Sequence, residues 1–479
     1  MEINPLIFRA YDIRGIAEGD SVDLSPEAMY AIGRGFGTYM QRKSGDKQSH
    51  RRGGAGGAKG AQKFVVGKDN RTHGKILHES FIAGLLSTGC DVLHVELASS
   101  PMIYWASCVL NVDGGVNITA SHNPKEYNGV KLVGKNAHSI CGDELQEILK
   151  LIQQDDFIEG NGQGRLESVD IFPEYLTDIK KRVEMAKKLK IVIDAGNGIT
   201  GKFAPELFRA LGCDVVELYC ELDGTFPNHE ANPEAEENME ELKKRVVAEG
   251  ADLGLAFDGD GDRVGVIDEG GKFYAADLLL IPLARDLLSR NPGAKIIFDT
   301  KTSKIIENDI RAGGGVPVRY KTGHSFIETK MRESGALLAG ETSGHLFFAE
   351  NWYGFDDGMY AGARLVQLVS KSEKPYSSFY EGLPQVHNTP ELKIPCSDSS
   401  KFRVVEDVKE YFVKRYPCLT IDGVWIDFGN DAWGAVRASN TSPYLTLRFE
   451  AGDETTLQRC REIVVTKLKE YPEVDLRKV

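Results

Sequence analysis

Residues 190–201 read Lys190-Ile-Val-Ile-Asp-Ala-Gly-Asn-Gly-Ile-Thr-Gly201. The apolar run Lys190–Asp194 reads as a strand, the glycines as a tight turn, and the residues after Gly201 have helical spacing. That helix stops at Gly212, and Cys-Asp-Val-Val216 resumes a strand. The same unit starts at Lys63-Phe-Val-Val-Gly67 and closes at Gly89-Cys-Asp-Val-Leu93. It starts again at Lys295-Ile-Ile-Phe-Asp299 and closes at Gly313-Gly-Gly-Val-Pro317. A strand–loop–helix–strand unit that recurs at domain spacing predicts three related α/β domains with mainly parallel, mixed sheets. Their expected bounds are 1–160, 168–272 and 273–386.

Local signals support this division. Ser25-Pro26-Glu27 is a helix start, with a capping serine before proline. Leu145, Ile148, Leu149 and Ile152 stripe one helix face and close the first domain, and Gly160–Gly164 reads as a linker. Asp277–Leu288 opens the third domain as a helix. Arg42–Gly60, basic and poor in large apolar residues, is expected to be a mobile surface insertion. Residues 387–479 leave the pattern. There Phe402–Tyr411 and Leu457–Leu468 read as helices, and Gly423–Phe428 and Tyr444–Glu450 as strands. That predicts a smaller α+β domain with an antiparallel sheet.

Composition narrows the function classes. A net charge of −13 over 479 residues argues against nucleic acid or an anionic membrane as the main partner. No apolar run reaches the ~18 residues of a membrane span; Leu278–Leu288 is broken by Pro282 and Arg285. No basic-then-apolar leader follows Met1. The eight scattered cysteines contain no Cys-x-x-Cys pair, as in reduced core thiols of a cytoplasmic protein.

The most specific chemical signal is Phe257-Asp-Gly-Asp-Gly-Asp-Arg263. Asp258, Asp260 and Asp262 repel one another unless a cation joins them, and all-oxygen donors select Mg²⁺ or Ca²⁺ over zinc. Three carboxylates leave room for a phosphate oxygen, which favours Mg²⁺. An EF-hand is disfavoured, although Glu269 falls at its twelfth position. Arg263 replaces the required glycine, and strands, not helices, flank the loop. A second signal is Thr119-Ala-Ser-His-Asn-Pro-Lys-Glu-Tyr-Asn-Gly-Val-Lys131. It puts Ser121 on a loop between two strands, among His122, Asn123, Lys125 and Lys131, a setting suited to a phosphoserine. Gly196-Asn-Gly198-Ile-Thr-Gly201 matches a dinucleotide fingerprint, with Glu217 after the next strand, so an oxidoreductase is the competing class. Weaker groups are Gly340-Glu-Thr-Ser-Gly-His345, Arg437-Ala-Ser-Asn-Thr-Ser-Pro443, Phe8–Gly15, Asp299-Thr-Lys301 and Thr322-Gly-His324.

Together, in this order, these motifs resemble the α-D-phosphohexomutase superfamily over nearly the whole chain, and its phosphomannomutase/phosphoglucomutase branch most. Tyr353-Gly-Phe-Asp-Asp-Gly358 resembles that branch too. The resemblance implies a TATA-binding-protein-like fourth domain, a monomer, and sugar phosphates as partners. It implies Mg²⁺ on Asp258, Asp260, Asp262 and phosphorylated Ser121, and a hexose 1,6-bisphosphate intermediate. His122, Lys131, Arg14 and His345 are the implied catalytic groups. Tyr11, Arg263, Lys301, His324, Glu341, Ser343, Arg437, Ser439, Asn440 and Thr441 are the implied substrate contacts. Thr342 stands where methionine is frequent in this branch, which leaves sugar preference open, phosphoglucosamine included.

Overall fold

The computed structural model describes residues 3–49, 61–160, 162, 164–439 and 443–478. Two compact units divide the chain: Met1–Leu283 with Ser343–Phe379, and Ala284–Thr342 with Tyr380–Val479.

The first unit holds two sheets. One is ordered Ile13–Ile16, Tyr127–Gly134, Gly114–Ile118, Lys63–Lys68, Asp91–His94, Leu166–Ser168. The other runs Phe273–Tyr274, Val264–Asp268, Leu253–Phe257, Lys190–Asp194, Asp214–Leu218. In each, the lysine-led strand is central and pairs in parallel on both sides. In each, one of those neighbours turns back as an antiparallel hairpin. The Ser121 loop joins the hairpin strands of the first sheet, and the acidic loop joins those of the second. The two strongest motifs therefore occupy equivalent places in two copies of one unit. Val116, Ile118, Leu255 and Val264 are buried and anchor the hairpins.

A carboxylate at the end of each central strand organises the next turn. Asp69 accepts from Arg71 N at 3.0 Å, Asp194 from Gly196 N at 2.9 Å, and Asp299 from Lys301 N at 3.1 Å. Such two-residue side-chain turns compete with helix formation and hold the loop open. The next helices in the three copies are Gly74–Ser87, Thr200–Ala210 and Lys304–Ala312.

The expected insertion is partly wrong. The helix that starts at Pro26, capped by Ser25 Oγ at 3.2 Å, continues to Ser49. Arg42 makes a two-pronged pair with Asp156 at 2.9 and 2.8 Å. Lysine, arginine and glutamine favour helix almost as well as leucine, so a polar composition does not end one. Residues 50–60 lie outside the described residues.

In the second unit Lys295–Asp299 pairs in parallel with Val316–Tyr320 and Leu338–Gly340. The loop from Glu341 comes directly after that last strand, at the position that carries Ser121 and the acidic loop in the other copies. The C-terminal sheet is antiparallel: His387–Asn388, Tyr444–Ala451, Ala432–Ala438, Val424–Gly429, Cys418–Leu419. Helices Lys401–Val413 and Glu454–Leu468 cover one face, burying Val404, Val408, Leu457 and Val464 against Val424, Ile426 and Leu447. Alternation sends Trp425 and Trp433 to the other face. There Arg319 stacks between Phe298 and Trp425, at 4.9 and 5.0 Å, and donates to the carbonyl of Thr302 at 2.7 Å.

Candidate active site

The Ser121 loop is built from behind. Thr119 Oγ1 accepts from Ser121 N at 2.9 Å and donates to Asp69 at 2.7 Å. Ser121 itself has φ +51°, in the left-handed region. This turn carries Oγ to 2.6 Å from Asp258 Oδ2 and 3.1 Å from His122 Nδ1. The acidic loop must come close, and Gly259 permits it: a Cβ there would lie 2.4 Å from the Ser121 carbonyl oxygen.

One ligand atom from each of Asp258, Asp260 and Asp262 lies within 4.8 Å of the others, and all three residues are fully buried. Lys131 Nζ donates to Asp260 at 2.7 Å and also to Asp262. Ser100 Oγ donates to Asp260 Oδ2 at 2.6 Å and is held by Asn117 at 2.9 Å. Asp260 Oδ1 is buried without a hydrogen-bond partner. Burial, then Asp262 and Asp260, push the Asp258 carboxyl well above the usual range. Burial pushes Asp262 the same way, but Lys131 and then His345 outweigh it and hold this carboxyl well below. Three carboxylates thus share too few cations, and an all-oxygen cluster with a spare buried oxygen fits a hard divalent ion.

Two arginines and an imidazole lie beside this cluster. Arg263 lies 3.9 Å from Asp258 and 4.0 Å from Asp262. His345 Nε2 sits between Arg263 Nε at 3.3 Å and Asp262 Oδ1 at 3.4 Å, with Ser343 Oγ 2.8 Å from its other nitrogen. Arg14 reaches Asn123 Oδ1 at 2.6 Å and pairs with Asp12, and Tyr11 is half-buried just before the strand that carries Arg14. Burial, then the charges of Arg263 and Arg14, hold His122 well below the usual histidine range, so it is neutral at pH 7.

The second unit groups another set. Arg437 Nε donates to Asp422 Oδ2 at 2.9 Å, and the same oxygen accepts from Thr322 N at 3.0 Å. Lys301 pairs with Glu391. Glu341 accepts from Gly323 N at 2.6 Å, beside His324 at the start of helix His324–Ser334. Ser439 is buried just after strand Ala432–Ala438. Asn440 and Thr441 lie outside the described residues. An incoming phosphate would compete with Asp422 and Glu391 for these cations.

Four domains of the phosphoglucomutase/phosphomannomutase family match in order: α/β/α domain I at 5–159, II at 173–271, III at 275–387, and the C-terminal domain at 391–467. The chain belongs to that family. It is 44% identical to the phosphomannomutase/phosphoglucomutase of Pseudomonas aeruginosa over 464 residues, 97% of this chain and 95% of the relative. It is 41% identical to a phosphoglucomutase of Neisseria meningitidis over 456 residues, 95% and 94% of the two chains. A solved phosphoglucomutase/phosphomannomutase family protein from Burkholderia thailandensis superposes with a TM-score of 0.88 at 37% identity, covering 98% of both chains. The four-domain phosphohexomutase architecture and the mutase class of enzyme follow from these matches.

In a mutase the fingerprint glycines need another reason, and packing supplies it. A Cβ at Gly198 would lie 3.0 Å from Gly259 Cα, and one at Gly201 would lie 2.2 Å from the Cys220 carbonyl oxygen. Glu217 pairs with Arg209 on the surface. Glu269, the EF-hand candidate, hydrogen-bonds Ser377 N at 3.3 Å. All eight cysteines are free thiols, five of them buried. No helix among the described residues is long and apolar enough to cross a membrane. Sequence reasoning missed Ser100, Asn117, Asp69 and Arg71. Only Asp69 left a signal, as a carboxylate at the end of a repeated strand.

Asp357 sits beside the acidic loop, whose Gly261 carbonyl accepts from Gly358 N at 3.1 Å. It caps helix Gly358–Lys371, accepting from Tyr360 N at 2.9 Å and from Tyr175 Oη at 3.0 and 2.8 Å. Burial pushes its carboxyl up to about 7, against those hydrogen bonds. The ordinary value is about 4. Between the two values the folded chain holds a proton that the unfolded chain has released. Its stabilising contribution is complete below pH ~4 and is lost as the pH rises through about 7. Asp357→Asn keeps a capping oxygen but cannot titrate. Its Tm should fall less than the wild type's between about pH 5 and about pH 8. Equal falls in the two proteins would contradict this reading of the cap.

Proposed function

We propose that the chain interconverts hexose 1-phosphates and hexose 6-phosphates, of mannose and of glucose, through a phosphoserine at Ser121 and a hexose 1,6-bisphosphate. The observation that carries this is the 2.6 Å separation of Ser121 Oγ from Asp258 within the buried acidic triad. The domains assigned are 1–160, 168–272, 273–386 and 387–479, in a cytoplasmic monomer without nucleic-acid or membrane partners.

Asp258, Asp260, Asp262 and an oxygen on phosphorylated Ser121 would hold Mg²⁺, which when bound supplies charge neutralisation and Lewis acidity. In the first half-reaction the Ser121 Oγ–P bond breaks as a sugar hydroxyl oxygen bonds to phosphorus. One of Arg14, Lys131 and His345 gives a proton to the departing Ser121 Oγ and takes up the sugar hydroxyl proton in its place. The bisphosphate then turns end over end. In the second half-reaction its other P–O bond breaks, phosphorus returns to Ser121 Oγ, and the proton goes back to the sugar oxygen. Lys131, Arg263 and neutral His122 stabilise the charge spread over the phosphoryl oxygens. Glu341 and Ser343 are assigned to hydroxyls presented in both orientations. Arg437, Ser439, Asn440 and Thr441 are assigned to the phosphate not reacting, and Tyr11, Lys301 and His324 to further substrate contacts. A site that takes the sugar both ways round reads C2 loosely, so both epimers serve.

Steady-state rates on glucose, mannose and glucosamine 1-phosphates test this. Turnover of the first two, with glucosamine 1-phosphate much slower, is expected. Turnover confined to glucosamine 1-phosphate would replace the assignment.

A further inference from the structure

One buried guanidinium, carried by no motif, grips the loop of the proposed phosphoryl carrier. Arg71 is 3% exposed. One of its terminal nitrogens donates to the carbonyls of Ser121 at 2.8 Å and Asn123 at 2.6 Å. The other donates to those of Pro124 at 2.8 Å and Tyr127 at 3.0 Å. Its Nε lies 3.3 Å from Asp69 Oδ2, and its plane stacks on Phe226 at 5.1 Å. The same Asp69 oxygen accepts from Thr119, whose hydroxyl accepts Ser121 N–H. One ion pair thus fixes Ser121 at both its carbonyl and its amide. A left-handed serine is strained and persists only where its surroundings over-determine it. Lys301 stands two residues after Asp299 as Arg71 does after Asp69, yet Lys301 pairs with a side chain while Arg71 faces backbone.

We propose that Arg71, with Asp69 and Thr119, is a positioning residue: the clamp holds Ser121 in the turn that presents Oγ to the acidic triad, without touching substrate. The inference rests on Ser121 being the phosphoryl carrier. A lysine has the charge but not the planar fork that serves four carbonyls, so Arg71→Lys is not conservative here. Thr119→Val keeps the shape and removes the hydroxyl beneath Ser121 N.

The test compares kcat, KM and the rate at which Ser121 takes up a phosphoryl group from glucose 1,6-bisphosphate, followed by intact mass. Arg71→Lys and Thr119→Val should each lower kcat and the uptake rate about 100-fold, with KM changed by less than about twofold. In Arg71→Ala, guanidinium chloride should restore part of kcat where sodium chloride does not. Undiminished kcat, or losses that follow a raised KM, would overturn the proposal. If the Arg71 variants do not fold, Thr119→Val decides alone by the same two measures. A failure of the underlying reading is separate: wild-type enzyme would then take up no phosphoryl group at Ser121.

Discussion

Ser121→Ala should lower multi-turnover conversion of glucose 1-phosphate to glucose 6-phosphate by on the order of 10⁴-fold or more, with the fold intact. The size follows from position. Ser121 Oγ is the hydroxyl that faces Asp258 at 2.6 Å, inside the ring made by His122, Lys131 and Arg263. Removing it leaves every charged group in place but, in the proposed reaction, would give the phosphoryl group nothing to return to. Binding of a sugar phosphate should survive, because Arg437 and Lys301 lie in the other unit and are untouched. Calorimetric affinity near wild type, beside lost turnover, is the expected pair of results. Turnover within a few-fold of wild type would remove Ser121 from the reaction.

The second large effect belongs to the acidic triad. Asp260→Asn keeps the side-chain shape and should lower turnover by about 10³-fold. Asp260 Oδ2 receives Lys131 and Ser100, and Oδ1 is the buried oxygen without a partner. An amide there removes one of three charges and, with its oxygen kept toward Lys131 and Ser100, turns a donor to the position of the unpartnered oxygen. Chelation of wild-type enzyme should stop turnover reversibly, with Mg²⁺ restoring it. Full activity in excess chelator would break the reading of the triad as a metal site.

Much of this was legible in the chain. The lysine-led strands Lys63–Lys68, Lys190–Asp194 and Lys295–Asp299 stand where their apolar runs put them, because a strand buried on both faces declares itself by composition. The acidic loop was legible because three alternating aspartates have no cheap structural explanation. Ala432–Ala438 carries little strand signal, since its three alanines and its glycine have low strand propensity, and its pairing partners are supplied from elsewhere. Arg71 was invisible for a different reason. Its partners are backbone carbonyls some fifty residues away, and carbonyls leave no trace in a sequence. The dinucleotide fingerprint misled because close backbone approach selects glycine whatever the ligand; at Gly198 the approaching chain is the acidic loop itself.

In the proposed reaction a phosphoryl group is lent by Ser121 and reclaimed. Single-turnover transfer tests it most directly: enzyme carrying a radiolabelled phosphoryl group on Ser121 is mixed with unlabelled glucose 1-phosphate and Mg²⁺. Label leaving the protein and appearing in glucose phosphates, at a rate no slower than kcat, is the predicted result. Label that stays on the protein, or departs only as inorganic phosphate, while the mutase reaction proceeds, would contradict it.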